Sequence, residues 1–490
     1  METSTQSSTT SQRSERREIL RQAVIDPEFH RAKFMKRPLY WPQIEAIKLI
    51  EKHLDGRTGK TPTIRSSRQT TKNEVSAMVE DRALTRYKNV GGSIVKIAPT
   101  YRPQIVNSKR RLDEMIAVDP LIGPKPRGYR EGYIKEYGRV SIQFLSADKT
   151  ANVEGATASL LLEVDEAHHI DKLKFEEAFG PMTAFTAAAT VMYGVAAAKM
   201  DLLYEQRLYN QEHDPGLNLQ YPAAIWCELI PAYEKHYTER VDKLGKDHPI
   251  ILTQYDLVDI ESMGGFLKTH QIESILTSDH QRQFTPRGGV TYACVIDIGG
   301  EDDNEGEVLA DKGEAARDAT SCWIVEVDHA NRVYDYPMLR VVQGHYWVGK
   351  IMGATPAGEK GQQEILLDIL NTWRPRKVVV DARGLGLQIA QYLKKRYASV
   401  EDYTASDTSV SNDCYGFLAL VNNARVKMWQ NDSSEEWIEL QQELRHTKSE
   451  IVQHDKMKLK KPQGGGHIDM VKALTYLTHC LKKPFVMSTY

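Results

Sequence analysis

LLLEVDEAHHI, Leu160 to Ile170, is an apolar run that ends in two adjacent carboxylates, Asp165 and Glu166. A buried strand of a nucleotide-hydrolysing α/β domain carries an Asp to its C-terminal edge, where it can hold a Mg²⁺ that bridges the nucleotide phosphates. An acid next to it can face the γ-phosphate, orient the attacking water and accept its proton. Hard cations take oxygen ligands, and the water needs a base within hydrogen-bond reach, so both roles call for carboxylates at that strand end. The pattern is that of a Walker B strand, with Asp165 at the metal and Glu166 as the base. Glu163 interrupts a strand that should be covered on both faces.

A chain of 490 residues is too long for one ordinary core, and two or more domains are expected. With 41% hydrophobic and 27% charged residues and a formal net charge of −2, bulk charge does not advertise nucleic acid, so any DNA contact has to come from local patches. Cys227, Cys294, Cys322, Cys414 and Cys480 lie far apart, which argues against a zinc site and gives no disulfide framework, as in a reducing cytosol. No apolar run approaches the ~20 residues needed to cross a bilayer, and no apolar signal core opens the chain. A soluble intracellular protein without a membrane partner is expected.

Outward from the acidic strand, two segments compete for the phosphate loop. DGRTGKTP, Asp55 to Pro62, contains Gly59-Lys60-Thr61, but a helical pattern precedes it and Pro62 follows. A phosphate loop needs a strand before it and a helix after it, so that backbone N–H groups and the helix dipole meet the phosphates. SSRQTTKN, Ser66 to Asn73, has that context: extended TPTIR before it, and EVSAMVEDRALTRY after it with Val75, Met78, Val79 and Leu84 on one helix face. Lys72 would reach the β- and γ-phosphates, with Arg68 as a second cation. Ser66 and Thr71 stand where glycines are usual, and Asn73 replaces the hydroxyl that binds Mg²⁺, although its side-chain oxygen could meet the ion directly or through water. Upstream, Gln43 opens the helix of LYWPQIEAIKLIEKHL, where its amide can read an adenine edge or simply be solvated.

The SRQTTKN loop resembles the SRQ-x-GK[ST] loop of the large terminase subunit of tailed bacteriophages: Ser67, Arg68, Gln69 and Lys72 match, while Thr71 and Asn73 depart. Between loop and acidic strand, SIVKIAPTYRPQ reads as strand, turn and helix, and VSIQFLSADK as an alternating strand. PKPRGYREGYIKEYGR between them carries Arg127, Arg130 and Arg139, which suit a solvated loop, DNA phosphate contact or an arginine finger. A further strand from Ala188 to Tyr193 ends at Gly194, where the family's coupling motif falls; here it reads Met192-Tyr193-Gly194-Val195.

The second half places acids at strand ends as well. VTYACVIDIGG delivers Asp297 to a glycine turn, RKVVVDARGLG delivers Asp381 to another, and Asp469 of GGGHIDMVKALTYL opens a helix. Three acids on separate elements suit a two-metal phosphodiesterase, in which paired divalent ions ~3.5–4 Å apart activate water and stabilise the leaving oxygen. Two strands after Asp297 with a turn at His329 to Asn331, then the helix EILLDILNTW and the Asp381 strand, give the order of an RNase H-like domain. Asp318 is a further candidate acid with a plain strand-cap reading, the acidic stretch Glu301 to Glu307 suits a solvated loop, and His467 could orient a metal or a phosphate. DARGLG, the strand IVQHDKMKLKK and HIDMVKAL again resemble the terminase nuclease, with Ile468 at one acid position of the family's H-x-D or H-D-D motif.

The expected architecture is α/β: a disordered tail over 1–16, a P-loop (RecA/helicase-like) ATPase domain over 17–215, a helical subdomain and linker over 216–287, and an RNase H-like nuclease domain over 288–490. The resemblance implies an ATPase and metal-dependent endonuclease that uses ATP and Mg²⁺, with Mn²⁺ as an alternative in the nuclease site, and that translocates double-stranded DNA into a procapsid. It implies a portal protein, a small terminase subunit and a homo-oligomeric ring as partners, in the host cell cytoplasm. Two other readings stay open: a helicase-nuclease of repair or restriction, against which the lack of a full second motor domain argues, and a DNA-binding packaging component whose degenerate phosphate loop no longer hydrolyses ATP.

Overall fold

The computed structural model describes residues 3–35, 38–70, 72–122, 128–148, 155–197, 201–261, 263–299, 319–348, 360–384, 386–452, 455–462 and 467–482. Thr71, Arg127, Asp318 and the acidic stretch 301–307 lie outside them. The chain divides into two compact units, residues 1–238 with 252–260, and residues 239–251 with 261–490.

The first unit is built on a seven-stranded sheet. Its strands are β1 (Thr63–Ser66), β2 (Gly92–Ala98), β3 (Ile134–Tyr137), β4 (Val140–Ser146), β5 (Leu161–Val164), β6 (Ala189–Gly194) and β7 (Asn218–Tyr221), in the order β3-β4-β2-β5-β6-β1-β7. Every pairing is parallel except that of the edge strand β3 with β4. Parallel strands are covered on both faces, which is why β5 and β6 are buried along their whole length. Helices α1 (Thr3–Ile25), α2 (Pro27–Phe34), α3 (Trp41–Gly56), α4 (Lys72–Tyr87) and α5 (Val106–Val118) belong to this unit.

The second unit has a six-stranded sheet formed by β9 (Tyr292–Asp297), β10 (Ala319–Val333), β11 (Tyr336–Val348), β12 (Lys377–Asp381), β13 (Val400–Tyr403) and β14 (Val426–Lys427), in the order β13-β12-β9-β10-β11-β14. Strands β9, β10 and β11 form an antiparallel meander, and β12 returns parallel to β9 after helix Gln362–Trp373. Successive residues of β9 feed opposite layers: Ala293 and Val295 join one core cluster, Tyr292, Cys294 and Ile296 the other. This is the RNase H-like order expected from the sequence.

Several expectations give way. Of the tail expected to be disordered over 1–16, residues 3–16 lie in α1, whose C-terminal carbonyls, of Ala23 and Val24, accept from the buried Arg82 guanidinium at 2.8 and 2.9 Å. Helix propagation from that anchored end takes in residues too polar to order themselves. The basic segment read as a loop contains β3, and IVQHDKMKLKK is not one strand but parts of β15 (Lys448–Val452) and β16 (Lys456–Lys460), which pair antiparallel beside β8 (Met263–Gly265). Residues 216–287 are shared between the units: β7 pairs with β1, and Arg65 donates to Asp259 and the Leu257 carbonyl, while β8 joins β15. Among the described residues, no helix is long and apolar enough to cross a membrane.

One buried group of the second unit gives a pH dependence. His248 Nδ1 accepts from the Ile250 N–H at 3.2 Å, so Nε2 carries the proton and donates to the Tyr415 carbonyl at 3.1 Å. Burial pushes this imidazole down to about 4, against the opposing pull of the carbonyl. The unfolded chain, titrating near the ordinary 6.5, binds the extra proton first, so stability is full above pH 6.5 and is lost as pH falls toward 4. The loss expected is about 3 kcal/mol, some 1.4 kcal/mol for each pH unit of the interval. Urea denaturation of the chain and of His248→Gln between pH 7 and 4 checks it; equal slopes for the two would refute it.

Candidate functional site

In the first unit the site lies at the C-terminal ends of the parallel strands. β1 runs into the loop at Ser67 and β5 into Asp165, with the end of β6 between them. Lys72 is the first residue of α4, and its Nζ donates to Glu166 Oε1 at 3.3 Å across that gap. Lys60 precedes β1 at the opposite edge of the sheet and pairs with Asp214. The strand, loop and helix order thus brings Lys72, and not Lys60, to the paired acids.

The loop is fastened by residues far along the chain. Ser67 Oγ lies 2.6 Å from Tyr233 OH, which donates to the Arg68 carbonyl at 3.0 Å; the Arg68 N–H donates to the Gln254 carbonyl at 2.8 Å, and its guanidinium to the Gln254 side chain. Gln69 takes a positive φ of 62°, the turn a glycine would make cheaply. Asn73 follows Lys72 in the first turn of α4. Gln43 engages its own helix. Its Oε1 accepts from the Tyr40 N–H at 2.8 Å, closing the first turn of α3, and only 4% of it is exposed.

Asp165 and Glu166 have opposite electrostatics. Burial first, and the Glu166 carboxylate second, push Asp165 above the usual carboxylate range. Burial works on Glu166 in the same sense, but the Lys72 ammonium, then His168 and His169, outweigh it and hold Glu166 down to about 2. A buried acid made costly to ionise is an oxygen ligand that a cation would stabilise, so Asp165 fits a Mg²⁺ partner. Glu166 has left-handed backbone angles, φ 47° and ψ 47°, a conformation that costs a non-glycine residue about 1–3 kcal/mol and that collects at functional sites. His168 Nε2 stands 3.4 Å from Glu166 Oε2, and Gly194 ends β6 against its ring: a Cβ there would lie 2.7 Å from His168 Nδ1.

In the second unit Asp297 and Asp381 close two neighbouring parallel strands, and the pairing of Val380 with Ile296 sets them side by side. Lys472 Nζ donates to both oxygens of Asp297, at 2.8 and 2.9 Å, and lies 3.3 Å from Asp381 Oδ2. Tyr476 OH lies 3.0 Å from Asp381 Oδ2 and 3.3 Å from Asp297 Oδ1, and Arg383 donates to Asp381. Gly386 lets the next helix start against this strand end, since a Cβ there would meet the Asp381 carbonyl oxygen at 2.2 Å. Asp469 opens helix Asp469–Thr475, accepts from the Ala319 N–H at 3.0 Å and faces His467 Nδ1 at 3.4 Å.

Asp469 stands somewhat apart. Among the described residues, the triads with ligating atoms all within 4.8 Å of one another are Glu166–His168–His169 and His30–Asp81–Asp119, not the three nuclease acids. Asp469 acts on Asp297 through its charge: burial, and then Asp469 and Asp381, push Asp297 up to about 7 against the pull of Lys472. Burial also opposes ionisation of Asp381, yet Arg383 and Lys472 hold it down to about 2. A carboxylate pair that already gathers an ammonium is a donor set fitted to cations. Lys472, Tyr476, Arg383, Tyr233 and Gln254 were not singled out from the sequence. The i, i+3 spacing of Asp469 and Lys472 was the available signal for one of them.

A parallel-sheet unit with a cation facing paired acids, and a meander-and-crossover unit with two acids side by side at strand ends, define a two-unit α/β chain. The particular fold is that of a large terminase. The large terminase of a thermophilic bacteriophage (crystal form 2) matches 91% of this chain and 99% of its own, with a TM-score of 0.52 at 12% identity. The HK97 bacteriophage large terminase matches 91% of this chain and 96% of its own (TM-score 0.40, 14% identity). The large terminase nuclease from thermophilic phage G20c with bound magnesium matches 43% of this chain and 94% of its own (TM-score 0.30, 14% identity). No protein-family model and no curated protein sequence matches the chain.

Proposed function

We propose that this chain is the motor subunit of a viral DNA-packaging machine, hydrolysing ATP to move double-stranded DNA into a procapsid and cutting that DNA with a metal-dependent endonuclease. The observation that carries the reading is the delivery of acids to the strand ends of both sheets, each set facing a lysine: Glu166 with Lys72, and Asp297 and Asp381 with Lys472.

In the motor half, Lys72 binds the β- and γ-phosphates, with Ser67, Arg68, Gln69, Thr71 and Asn73 as the other residues of the loop and Asp165 placed for Mg²⁺. Glu166, ionised at neutral pH, orients the attacking water and takes its proton. In the nuclease half, Asp297, Asp381 and Asp469 would hold the divalent cation chemistry, which supplies positive charge to the scissile phosphate and lowers the pKa of water. Arg383 and Lys472 keep the acids in place and add positive charge beside the DNA backbone. The reading implies a portal, a small DNA-recognising subunit and a ring of copies around the DNA.

The purified chain is expected to hydrolyse ATP faster with double-stranded DNA present, and to cut that DNA in Mg²⁺. EDTA and Asp381→Asn should each stop cutting, and Asp381→Asn should leave ATP hydrolysis intact. Absence of both activities would overturn the reading. Hydrolysis coupled to strand separation would replace it with a helicase-nuclease.

A further inference from the structure

His30, Asp81 and Asp119 come together inside the helical layer of the first unit. His30 lies on α2, Asp81 on α4 and Asp119 immediately after α5, and Asp81 is about 13 Å along its helix from Lys72. One ligand atom from each lies within 4.8 Å of those of the other two, and none of the three residues is more than 1% exposed. His30 Nε2 stands 3.1 Å from Asp119 Oδ2, and Asp119 Oδ1 accepts from the Leu121 N–H at 2.8 Å.

Asp81 is the member that needs explaining. Among the described residues nothing donates a hydrogen bond to either of its oxygens, although both are buried. It faces another carboxylate instead: burial first, and the Asp119 charge next, push it well above the usual carboxylate range. A buried acceptor without a donor is costly, and native proteins complete such groups with water, a proton or an ion. The two guanidiniums that act on it are bonded to other acids, Arg82 to Glu51 at 2.6 and 3.0 Å and Arg31 to Glu74, so they ease its charge without giving it a hydrogen bond. A proton on Asp81 would relieve the repulsion by Asp119, yet it would serve one oxygen and leave the other bare. A divalent cation between the two acids meets both charges at once.

We propose that His30 Nε2, Asp81 and Asp119 form a structural site for a divalent transition-metal ion of the Zn²⁺ class. An imidazole nitrogen with two carboxylates is a donor set for Zn²⁺; Mg²⁺ and Ca²⁺ take oxygen alone. Bonds of ~2.0–2.2 Å to one ion bring ligand atoms within about 4.4 Å of each other, so small turns of these side chains close the set. The ion takes Nε2 without its proton, and the ring proton moves to Nδ1. Arg82 Nη1, 3.2 Å from Nδ1, then gives up that contact and keeps its bonds to Ala23, while the rest of the guanidinium holds Val24 and Glu51. Because α2, α4 and the end of α5 each supply one ligand, the ion fastens the N-terminal helices to the helix that Lys72 opens, and its binding energy is folding energy. The inference stands on this cluster and does not depend on the packaging reading.

The test strips the full chain of metal with a chelator, dialyses it against Zn²⁺, and measures zinc per chain by atomic emission and thermal unfolding by circular dichroism. Asp81→Asn, which keeps the side chain's shape, and His30→Gln are compared with the parent, and Asp297→Asn controls for ions held by the second unit. Asp81→Asn and His30→Gln are each expected to bind one zinc per chain fewer than the parent and to lose most of the rise in Tm that Zn²⁺ gives it. Asp297→Asn is expected to keep that rise. Circular dichroism of the metal-free variants shows whether each folds, and where one does not, the other carries the comparison. Zinc counts in the two variants equal to that of the parent would overturn the proposal, as would a parent Tm that Zn²⁺ leaves unmoved. A metal-free Asp81→Asn more stable than the parent, together with equal zinc counts, would assign the cluster to a shared proton instead.

Discussion

Lys72→Ala is expected to lower kcat for ATP hydrolysis by about 10²–10³-fold, the scale on which removal of one preorganised charge-stabilising donor acts. Lys60→Ala is expected to leave it near the parent value, since it gives up only an exposed ion pair with Asp214 worth about 0.2–1 kcal/mol. Lys60 sits in the more glycine-rich segment, so the contrast depends on place in the sheet and not on motif. Lys72 opens α4 at the edge where β5 releases Asp165 and Glu166, and its ammonium is already 3.3 Å from Glu166. Phosphates arriving at the start of α4 would compete for that ammonium. Drawing it away removes the largest influence that holds Glu166 down to about 2, so nucleotide binding would raise the basicity of the proposed proton acceptor. Steady-state hydrolysis by the parent and both variants, with double-stranded DNA present, measures the contrast. A loss confined to Lys60→Ala would move the phosphate loop to residues 55–62.

The acids at strand ends were legible because a strand buried on both faces reads as a short continuous apolar run, and an acid at its end stands out; β5 with Asp165 and β12 with Asp381 both have this form. The strand-loop-helix order around Ser67 to Lys72 was legible despite the missing glycines. The side chains that complete the sites were not. Tyr233 and Gln254 reach Ser67 and Arg68 from 166 and 186 residues away, separations at which no local pattern exists. Lys472 reads in sequence as a solvated position on an amphipathic helix, and only the docking of Asp469–Thr475 on β10, through Ser321 and Trp323, turns it onto Asp297. A glutamine in a first helical turn suits a base edge and a cap equally well, and at Gln43 the structure shows the cap contact.

Glu163, which the sequence marked as an interruption of the acidic strand, belongs to a buried polar cluster, and the largest expected effect on stability comes from the cation that neutralises it. Lys96 Nζ, on β2, donates to Ser76 Oγ at 2.6 Å and to Glu80 Oε1 at 2.8 Å, both on α4. Ser76 Oγ donates in turn toward Glu163 at 3.1 Å, and Tyr193 OH of β6 donates to Glu163 at 2.9 Å. All five side chains are buried. Burial pushes the Glu163 carboxyl well above its ordinary range, with Lys96 pulling against it and Glu80 adding to it. The ammonium contacts Glu80 directly, and Glu163 is the acid that burial makes costlier to ionise. Lys96→Met is expected to cost about 3–5 kcal/mol, because it strands a carboxylate in the core. Glu163→Gln keeps a neutral group of the same shape and is expected to cost about 1 kcal/mol, the worth of a hydrogen bond. Urea denaturation at neutral pH separates the two, and a Glu163→Gln cost equal to or above that of Lys96→Met would show that Glu163 carries the charge. The cluster ties α4 to β5 one turn below Lys72 and two residues before Asp165. Loosening it should therefore also raise KM for ATP in whatever Lys96→Met remains folded, since the phosphate loop and the paired acids would no longer share one rigid support.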